Sequence, residues 1–97
     1  MNAKKSDANQ AEIVATLRAC GAFVFDLHGV GRGCPDLLCC HHGQWMLIEC
    51  KDKDGRLTPE QVIFVGEAGR CRGKVYVVRS TDDAVDALNE VVRRGPG

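Results

Sequence analysis

Two features are missing from this sequence: a long apolar run and an excess of charge of either sign. No apolar stretch is long enough to span a bilayer, and no secretory signal opens the chain. These absences predict a cytoplasmic protein with no membrane partner. The 13 Lys and Arg residues balance the 13 Asp and Glu residues, which counts against binding of nucleic acid by bulk positive charge alone. The balance still allows an enzyme whose acidic site is offset by a bound metal ion.

Paired cysteine motifs are also missing, although the chain has six cysteines. Without a Cys-x-x-Cys pair a zinc ribbon is disfavoured, and the ordinary apolar content disfavours a disulfide framework. The segment Cys39-Cys40-His41-His42 has the residue types of a zinc site, but strand alternation directs Cys39 and Cys40 to opposite faces. We expect most of the cysteines to pack as small core residues. A cysteine-based zinc or redox module stays open as an alternative function.

Apolar periodicity and turn residues predict one α/β domain over residues 1–97, with elements in the order α-β-β-β-α-β-α. Residues 1–6 are expected to be flexible. Helical spacing predicts a first helix over about residues 7–20, while Thr58 caps the second helix and Ser80 or Thr81 the third. The predicted strands are residues 22–27, 36–41, 44–51 and 74–79. The strand–helix–strand order places the last strand parallel to the third strand.

The link between the second and third predicted strands defines a specific geometry. His42-Gly43 suits a two-residue turn, because Gly readily adopts the positive φ that such turns need. With that turn Asp36 lies directly opposite Glu49, at a Cβ separation of about 4.5–5.5 Å. Lys51 follows two residues later and points to the same face. Two carboxylates and a lysine so placed suit a site that holds a divalent metal ion against a phosphate, and a one-residue slip would separate the acids.

Both faces of the predicted hairpin are largely apolar. We therefore expect helices to cover both faces, as in a layered α/β domain. The expected apolar face of the second helix consists of Val62, Ile63, Val65 and Ala68. The inward side chains expected for the third helix are Val85, Leu88, Val91 and Val92.

Three motifs occur in order: Gly33-x-Pro35-Asp36-Leu37-Leu38, Ile48-Glu49-Cys50-Lys51 and Leu57-Thr58-Pro59-x-Gln61. Together with the element order, they resemble the VRR-NUC family of virus-type replication-repair nucleases in the PD-(D/E)XK superfamily. The resemblance runs from about residue 10 to the last helix, which is nearly the whole chain. It implies a restriction-endonuclease-like α-β-β-β-α-β core, in which helices flank a mixed sheet, and a bacterial or phage-type origin.

The resemblance also implies roles for particular residues. Asp36 and Glu49 would hold Mg²⁺ or Mn²⁺ together with the backbone carbonyl of Cys50, because hard cations prefer oxygen ligands. Lys51 would orient or help to deprotonate a water molecule, or stabilise developing negative charge. The plainer alternative for these residues is a solvated strand end with a Glu–Lys ion pair.

Two further residues have both a catalytic and a structural interpretation. Gln61 would contact the water molecule or a phosphate at the site, or it completes a capping box with Thr58. Glu12, on the first helix, would lie near the metal site, as an acidic residue often does in the family. Otherwise Glu12 is a solvated helix glutamate.

Four basic residues are candidate contacts to a nucleic-acid backbone. His28 and Arg32 belong to the glycine-rich loop before the second strand, whereas Lys53 and Arg56 follow Lys51 closely. The plainer alternatives are an ordinary connecting loop and a solvated charged face.

The sequence thus predicts a metal-dependent, structure-specific DNA endonuclease acting on branched or double-stranded DNA. Stand-alone relatives of this size resemble enzymes that resolve Holliday junctions. One short chain carries one metal centre, whereas symmetric nicking of a four-way junction needs two, so a homodimer is expected. The alternative from another class is a DNA-binding module without catalysis, in which the acids only pair with basic neighbours.

Overall fold

The computed structural model describes residues 5–95, with side chains from residue 9 onward. The helices are α1 (Lys5–Ala19), α2 (Pro59–Arg70) and α3 (Thr81–Arg94), and the strands are β1 (Phe23–Asp26), β2 (Leu37–His41), β3 (Gln44–Cys50) and β4 (Val75–Val78). This order confirms the predicted one. The expected flexible end falls largely on residues 1–4, outside the described range, and α1 already begins at Lys5. Within the described range no helix is both long and apolar enough to cross a membrane.

The β2–β3 hairpin has the predicted turn and register. His42 and Gly43 both have positive φ, 50° and 80°, as the turn that suits a right-twisted two-residue hairpin requires. The ladder pairs Leu37 with Ile48, and so on to His41 with Gln44. Continued by one residue, the same register sets Asp36 opposite Glu49.

The four strands form one sheet in the order β1-β2-β3-β4. Strands β1 to β3 are antiparallel neighbours, and β4 is parallel to β3 as predicted. Helices α1 and α3 pack against each other and against one face of this sheet. The largest side chains buried there are Ile13, Leu17, Leu37, Ile48 and Leu88.

The expectation that helices cover both faces of the hairpin is confirmed only in part, because α2 reaches the second face only near Glu49. Along β2, Leu37 and Cys39 are buried, whereas Leu38 and Cys40 on the other face are only partly buried. On that second face the sheet is most exposed toward β1, and in the described part of the chain α2 has no buried residue. Periodicity shows that a face is apolar, but whether the same chain covers it depends on where a distant helix lies.

Side-chain burial on α3 also differs from the prediction. Leu88 and Val91 are buried as expected, but Val85 and Val92 are exposed, and Ala84 and Ala87 complete the buried stripe. The buried stripe of α3 covers a smaller part of the helix surface than the apolar residues of its sequence do. Small alanines suit this stripe because the helix packs closely against its neighbours.

Candidate active site

Asp36 and Glu49 meet at the end of the hairpin opposite the turn. Glu49 is buried, with 2% of its surface exposed, whereas Asp36 is partly buried. One Asp36 carboxylate oxygen, Oδ2, accepts a hydrogen bond from the Cys50 backbone N–H at 2.8 Å. The Lys51 ammonium nitrogen lies 3.6 Å from Glu49 Oε2. The structure therefore brings the trio of Asp36, Glu49 and Lys51 together.

Glu49 has an unsatisfied oxygen. Its Oε2 accepts a hydrogen bond from Gln61 Nε2 at 2.8 Å, but its buried Oε1 has no hydrogen-bond partner among the described residues. Burial, followed by the negative charge of Asp36, raises the pKa of Glu49 to about 7, although Lys51 acts in the opposite direction. A cation beside the two carboxylates would favour their charged forms and give Oε1 a partner.

Backbone geometry makes the Cys50 carbonyl the candidate third oxygen of this site. The hairpin register, continued by two residues, sets Pro35 opposite Cys50. Because proline has no N–H, Pro35 cannot donate a ladder hydrogen bond to the Cys50 carbonyl. The N–H and C=O of a strand residue point toward the same neighbour, and the Cys50 N–H points toward Asp36. Two carboxylates and a backbone carbonyl are donors that fit a hard divalent cation.

Gln61 completes the predicted capping box and also reaches Glu49, whereas its contact to a water molecule or a phosphate stays a prediction. Its Oε1 accepts a hydrogen bond from the Thr58 N–H at 2.8 Å, and its own N–H donates to Thr58 Oγ1 at 3.2 Å, so the capping box is complete. The other end of the amide donates to Glu49. The start of α2 is thereby tied to the carboxylate pair.

Gly33 allows the loop before β2 to touch the start of α2. Gly33 has a φ of 75°, and a Cβ added there would overlap the Glu60 carbonyl and lie 2.8 Å from the Gln61 nitrogen. Gly29 and Gly31 also have positive φ, but a Cβ on either would have no described atom within 4 Å. The spacing of the three glycines in the sequence gives no sign of this difference.

Asn9 and Arg79 hold the chain that follows Lys51, and no sequence pattern pointed to either residue. Asn9 Nδ2 donates to the Lys51 carbonyl at 2.8 Å and to the Arg79 carbonyl at 3.3 Å. The Arg79 guanidinium donates to the carbonyls of Asp52, at 2.8 Å, and Gly55. In the sequence, Asn9 is a polar residue of a helix and Arg79 lies at the end of a predicted strand. Their contacts to this loop depend on the fold.

Glu12 lies beside this loop and not within the trio. It is exposed and lines a cavity of about 720 Å³ with Asn9, Arg79 and residues 52–55. Asp36 and Glu49 are not among the residues that line this cavity. The structure thus places Glu12 next to the segment after Lys51, without bringing it to the carboxylates.

The four candidate nucleic-acid contacts separate into two groups. Arg32 is exposed next to Gly33, and Lys53 and Arg56 are exposed on the loop after Lys51, so these three are close to the trio along the chain. His28 is exposed as well, but it lines a different cavity with Arg18 and other residues of α1. The structure does not bring His28 to the trio.

The cysteines give the zinc or redox alternative no support. All six are free thiols, and only Cys39 and Cys50 are buried, so most do not pack as core residues. Burial raises the pKa of Cys39 to about 11 and also raises the pKa of Cys50, which makes both thiols poor nucleophiles. Within the described residues no three His, Cys, Asp or Glu side chains are grouped closely enough to hold a metal ion.

Helices around a mixed sheet, with two carboxylates and a lysine on one sheet face, form the arrangement expected of an α/β nuclease-type domain. The sequence matches the VRR-NUC domain family over residues 1–82, and the chain belongs to that family. It is similar to a solved structure described as a VRR_NUC domain, with a TM-score of 0.74 and 30% identity, over 91% of this chain and 97% of that chain. No curated protein matches the chain. Family membership implies a nuclease-type domain that acts on DNA, and such domains usually need a divalent metal ion.

Proposed function

We propose that this chain is an endonuclease that hydrolyses phosphodiester bonds of DNA with Mg²⁺ or Mn²⁺ as cofactor. The observation that carries the proposal is the pairing of Asp36 with the buried Glu49, whose Oε1 has no partner in the described part of the chain. A bound divalent cation would polarise the phosphate and lower the pKa of a bound water molecule. The carboxylates of Asp36 and Glu49 and the carbonyl of Cys50 would hold that cation.

Other side chains of the site have roles that follow from their contacts. Lys51, 3.6 Å from Glu49 Oε2, orients the attacking water or stabilises the negative charge that develops on the phosphate. Gln61 orients Glu49 through its amide and presents the start of α2 to the substrate, where backbone N–H groups attract phosphate. Glu12 acts from the edge of the site, beside the loop after Lys51.

Local basic residues supply the attraction for DNA that the balanced net charge does not. Arg32, Lys53 and Arg56 are exposed on loops that are close to the trio along the chain, and each would neutralise a phosphate. His28, on the α1 side, would contact a duplex that extends past β1.

Cleavage assays test the proposed activity. Four-way, flap and linear DNAs are incubated with and without Mg²⁺ or Mn²⁺, and cutting is expected only with metal. Lys51→Ala should slow cutting by roughly 100-fold or more while DNA affinity changes little, because charge stabilisation in the transition state is lost. Lys74→Ala is the matched control, since Lys74 forms an exposed ion pair with Glu90 at 2.6 Å.

Wild-type rates for Lys51→Ala would contradict the proposed mechanism. DNA binding by the wild-type protein without cutting under either metal would favour a non-catalytic DNA-binding module instead.

We propose further that the preferred substrate is branched DNA, with the Holliday junction cut by a homodimer. One chain carries one pair of carboxylates, whereas symmetric nicking of a four-way junction needs two centres, which a two-fold dimer supplies. The assay panel gives the substrate preference and a solution-mass measurement gives the oligomeric state. A monomer under cleaving conditions would contradict the junction-resolving function.

A further inference from the structure

The backbone of Lys51 is held on both sides by other elements. Its N–H donates to the carbonyl of Val78 at 3.0 Å, which continues the parallel pairing of β3 with β4 just past Cys50. Its carbonyl accepts a hydrogen bond from Asn9 Nδ2 of α1 at 2.8 Å. The Lys51 side chain is 16% exposed, and its ammonium group lies beside Glu49. The position of that ammonium group therefore depends on contacts from β4 and α1.

The loop after Lys51 folds around the guanidinium group of Arg79. The Nη1 atom of this group donates to three loop carbonyls, those of Asp52 at 2.8 Å, Lys53 at 3.4 Å and Gly55. Hydrogen bonds from a charged donor are stronger than neutral ones. Three carbonyl oxygens that meet at one point would also repel one another without a cation between them. Arg79 therefore stabilises this conformation of the loop.

One side-chain amide joins the two sets of contacts. Asn9 Nδ2 donates to the carbonyl of Arg79 at 3.3 Å as well as to that of Lys51. The Arg79 N–H in turn donates at 2.9 Å to Oδ2 of Asp83, in the first turn of α3. Since α1 and α3 pack against each other and against the sheet, these contacts connect the Lys51 backbone to the packed core. A functional side chain supported by such elements is held more precisely than one on a free loop.

Asn9 and Arg79 would affect the reaction only through Lys51 and its loop. The contacts described for their side chains are to backbone carbonyls, and none of these is to Asp36 or Glu49. Without its donor, the Lys51 carbonyl would be free to turn, and the long side chain would carry that change to the ammonium group. A displacement of about 1 Å at a site can cost roughly 100-fold in rate.

We infer that Asn9 and Arg79 are positioning residues, which fix the backbone of Lys51 so that its ammonium group has one geometry beside Glu49. The inference rests on the proposed nuclease function and deepens it. It makes a specific demand on the kinetics: the effect of either residue on the cutting rate must depend on the presence of the Lys51 ammonium group.

The kinetic test uses Asn9→Leu, which keeps the size of the side chain and removes the donor. Single-turnover cutting should slow about tenfold or more, while DNA affinity stays within about twofold. In the Lys51→Ala background the same substitution should cause no further loss, because no ammonium group remains to be displaced. Asn89→Leu, the same change on the exposed side of α3, should cut like the wild type. An equal loss in both backgrounds would overturn the inference.

Arg79→Ala and Arg79→Lys test the other residue. Arg79→Ala should slow cutting about as much as Asn9→Leu. Arg79→Lys should recover part of the rate, because an ammonium group still donates to carbonyls but lacks the planar fork of arginine. Circular dichroism verifies that each variant is folded. Wild-type rates for both Asn9→Leu and Arg79→Ala would also overturn the inference.

Reductive methylation of amines, followed by mass spectrometry, tests the position of Lys51 without any cutting. In the wild type Lys51 should react more slowly than the exposed Lys53. In folded Asn9→Leu and Arg79→Ala, Lys51 should react roughly threefold faster or more relative to Lys74, because its backbone opens locally. Unchanged labelling in both variants would overturn the inference. A wild type that cuts with neither metal would contradict the proposed function, and the labelling would still decide the positioning.

Discussion

At the scale of single residues, burial gives Glu49 its particular properties. A carboxylate with 2% of its surface exposed opposite a second carboxylate is costly to ionise, and its raised pKa expresses that cost. Lys51 and Gln61 offset only part of it, through contacts to one oxygen. Such a residue favours binding of a cation at the expense of stability.

The first prediction concerns Glu49 and pH. Because the pKa of Glu49 is about 7 in the folded protein and lower in the unfolded chain, its contribution to stability is present at pH 4.5 and is lost as pH rises through 7. In metal-free buffer, Glu49→Gln should therefore melt at a higher temperature than wild type at pH 8, with little difference at pH 5. Thermal denaturation in EDTA measures this.

The control for this prediction is Glu67→Gln, which removes an exposed carboxylate from α2. It should leave the difference between pH 5 and pH 8 unchanged. Equal melting temperatures for wild type and Glu49→Gln at pH 8 would contradict an energetic cost at Glu49. Added Mg²⁺ should raise the melting temperature of the wild type more than that of Glu49→Gln.

At the scale of elements, α2 is joined to the site at its first turn. Gly33 touches the backbone of Glu60 and Gln61, and Gln61 bonds to Glu49. The capping box that starts α2 therefore also positions the amide that reaches the carboxylate. The rest of α2 has no buried residue within the described chain, so its first turn is the part that joins the helix to the site.

The second prediction concerns the contact at Gly33. Gly33→Ala should displace the start of α2 and break the Gln61–Glu49 hydrogen bond, lowering the cutting rate by roughly tenfold or more because a small misplacement at a site is costly. Gly31→Ala is the matched control. Gly31 has nearly the same φ, 77° against 75°, but its added Cβ would meet no described atom within 4 Å. Equally reduced rates for the two variants would show that strain at positive φ, and not the contact, is responsible, and wild-type rates for both would show that the contact does not affect cutting.

At the scale of the whole molecule, the charges are balanced, and the basic groups near the site are few. Arg32, Lys53 and Arg56 are the exposed cations proposed to meet phosphates. Arg79, by contrast, is held by backbone carbonyls. We therefore expect DNA binding to depend on these few contacts and not on a broad positive surface.

The third prediction concerns the salt dependence of DNA affinity. Each neutralised phosphate contributes about −0.9 to the slope of log affinity against log salt concentration. Three contacts per chain give a slope of about −3 for one bound chain and about −5 for a dimer. Lys53→Ala should make the slope less steep by about one unit per chain. Fluorescence anisotropy across a salt series measures it, with Lys74→Ala as control, and a much steeper slope would indicate contacts beyond these three.

Local patterns determined the element order, the hairpin register and the cap of α2. The two-residue turn at His42-Gly43 and the period of two along each strand act between near neighbours, so the meeting of Asp36 with Glu49 followed from sequence. The Thr58–Gln61 capping box spans three residues and was equally readable. These features involve no distant part of the chain.

Only the tertiary structure decided which sheet face α1 and α3 cover, which glycine approaches α2 and what holds the loop after Lys51. Asn9 reaches carbonyls 42 and 70 residues away, and Gly33 meets the backbone of a helix that begins at Pro59. Such contacts depend on where whole elements pack, which periodicity does not encode. For the same reason, an apolar face in the sequence did not reveal that α1 and α3 cover one side, while α2 reaches the other side only near Glu49.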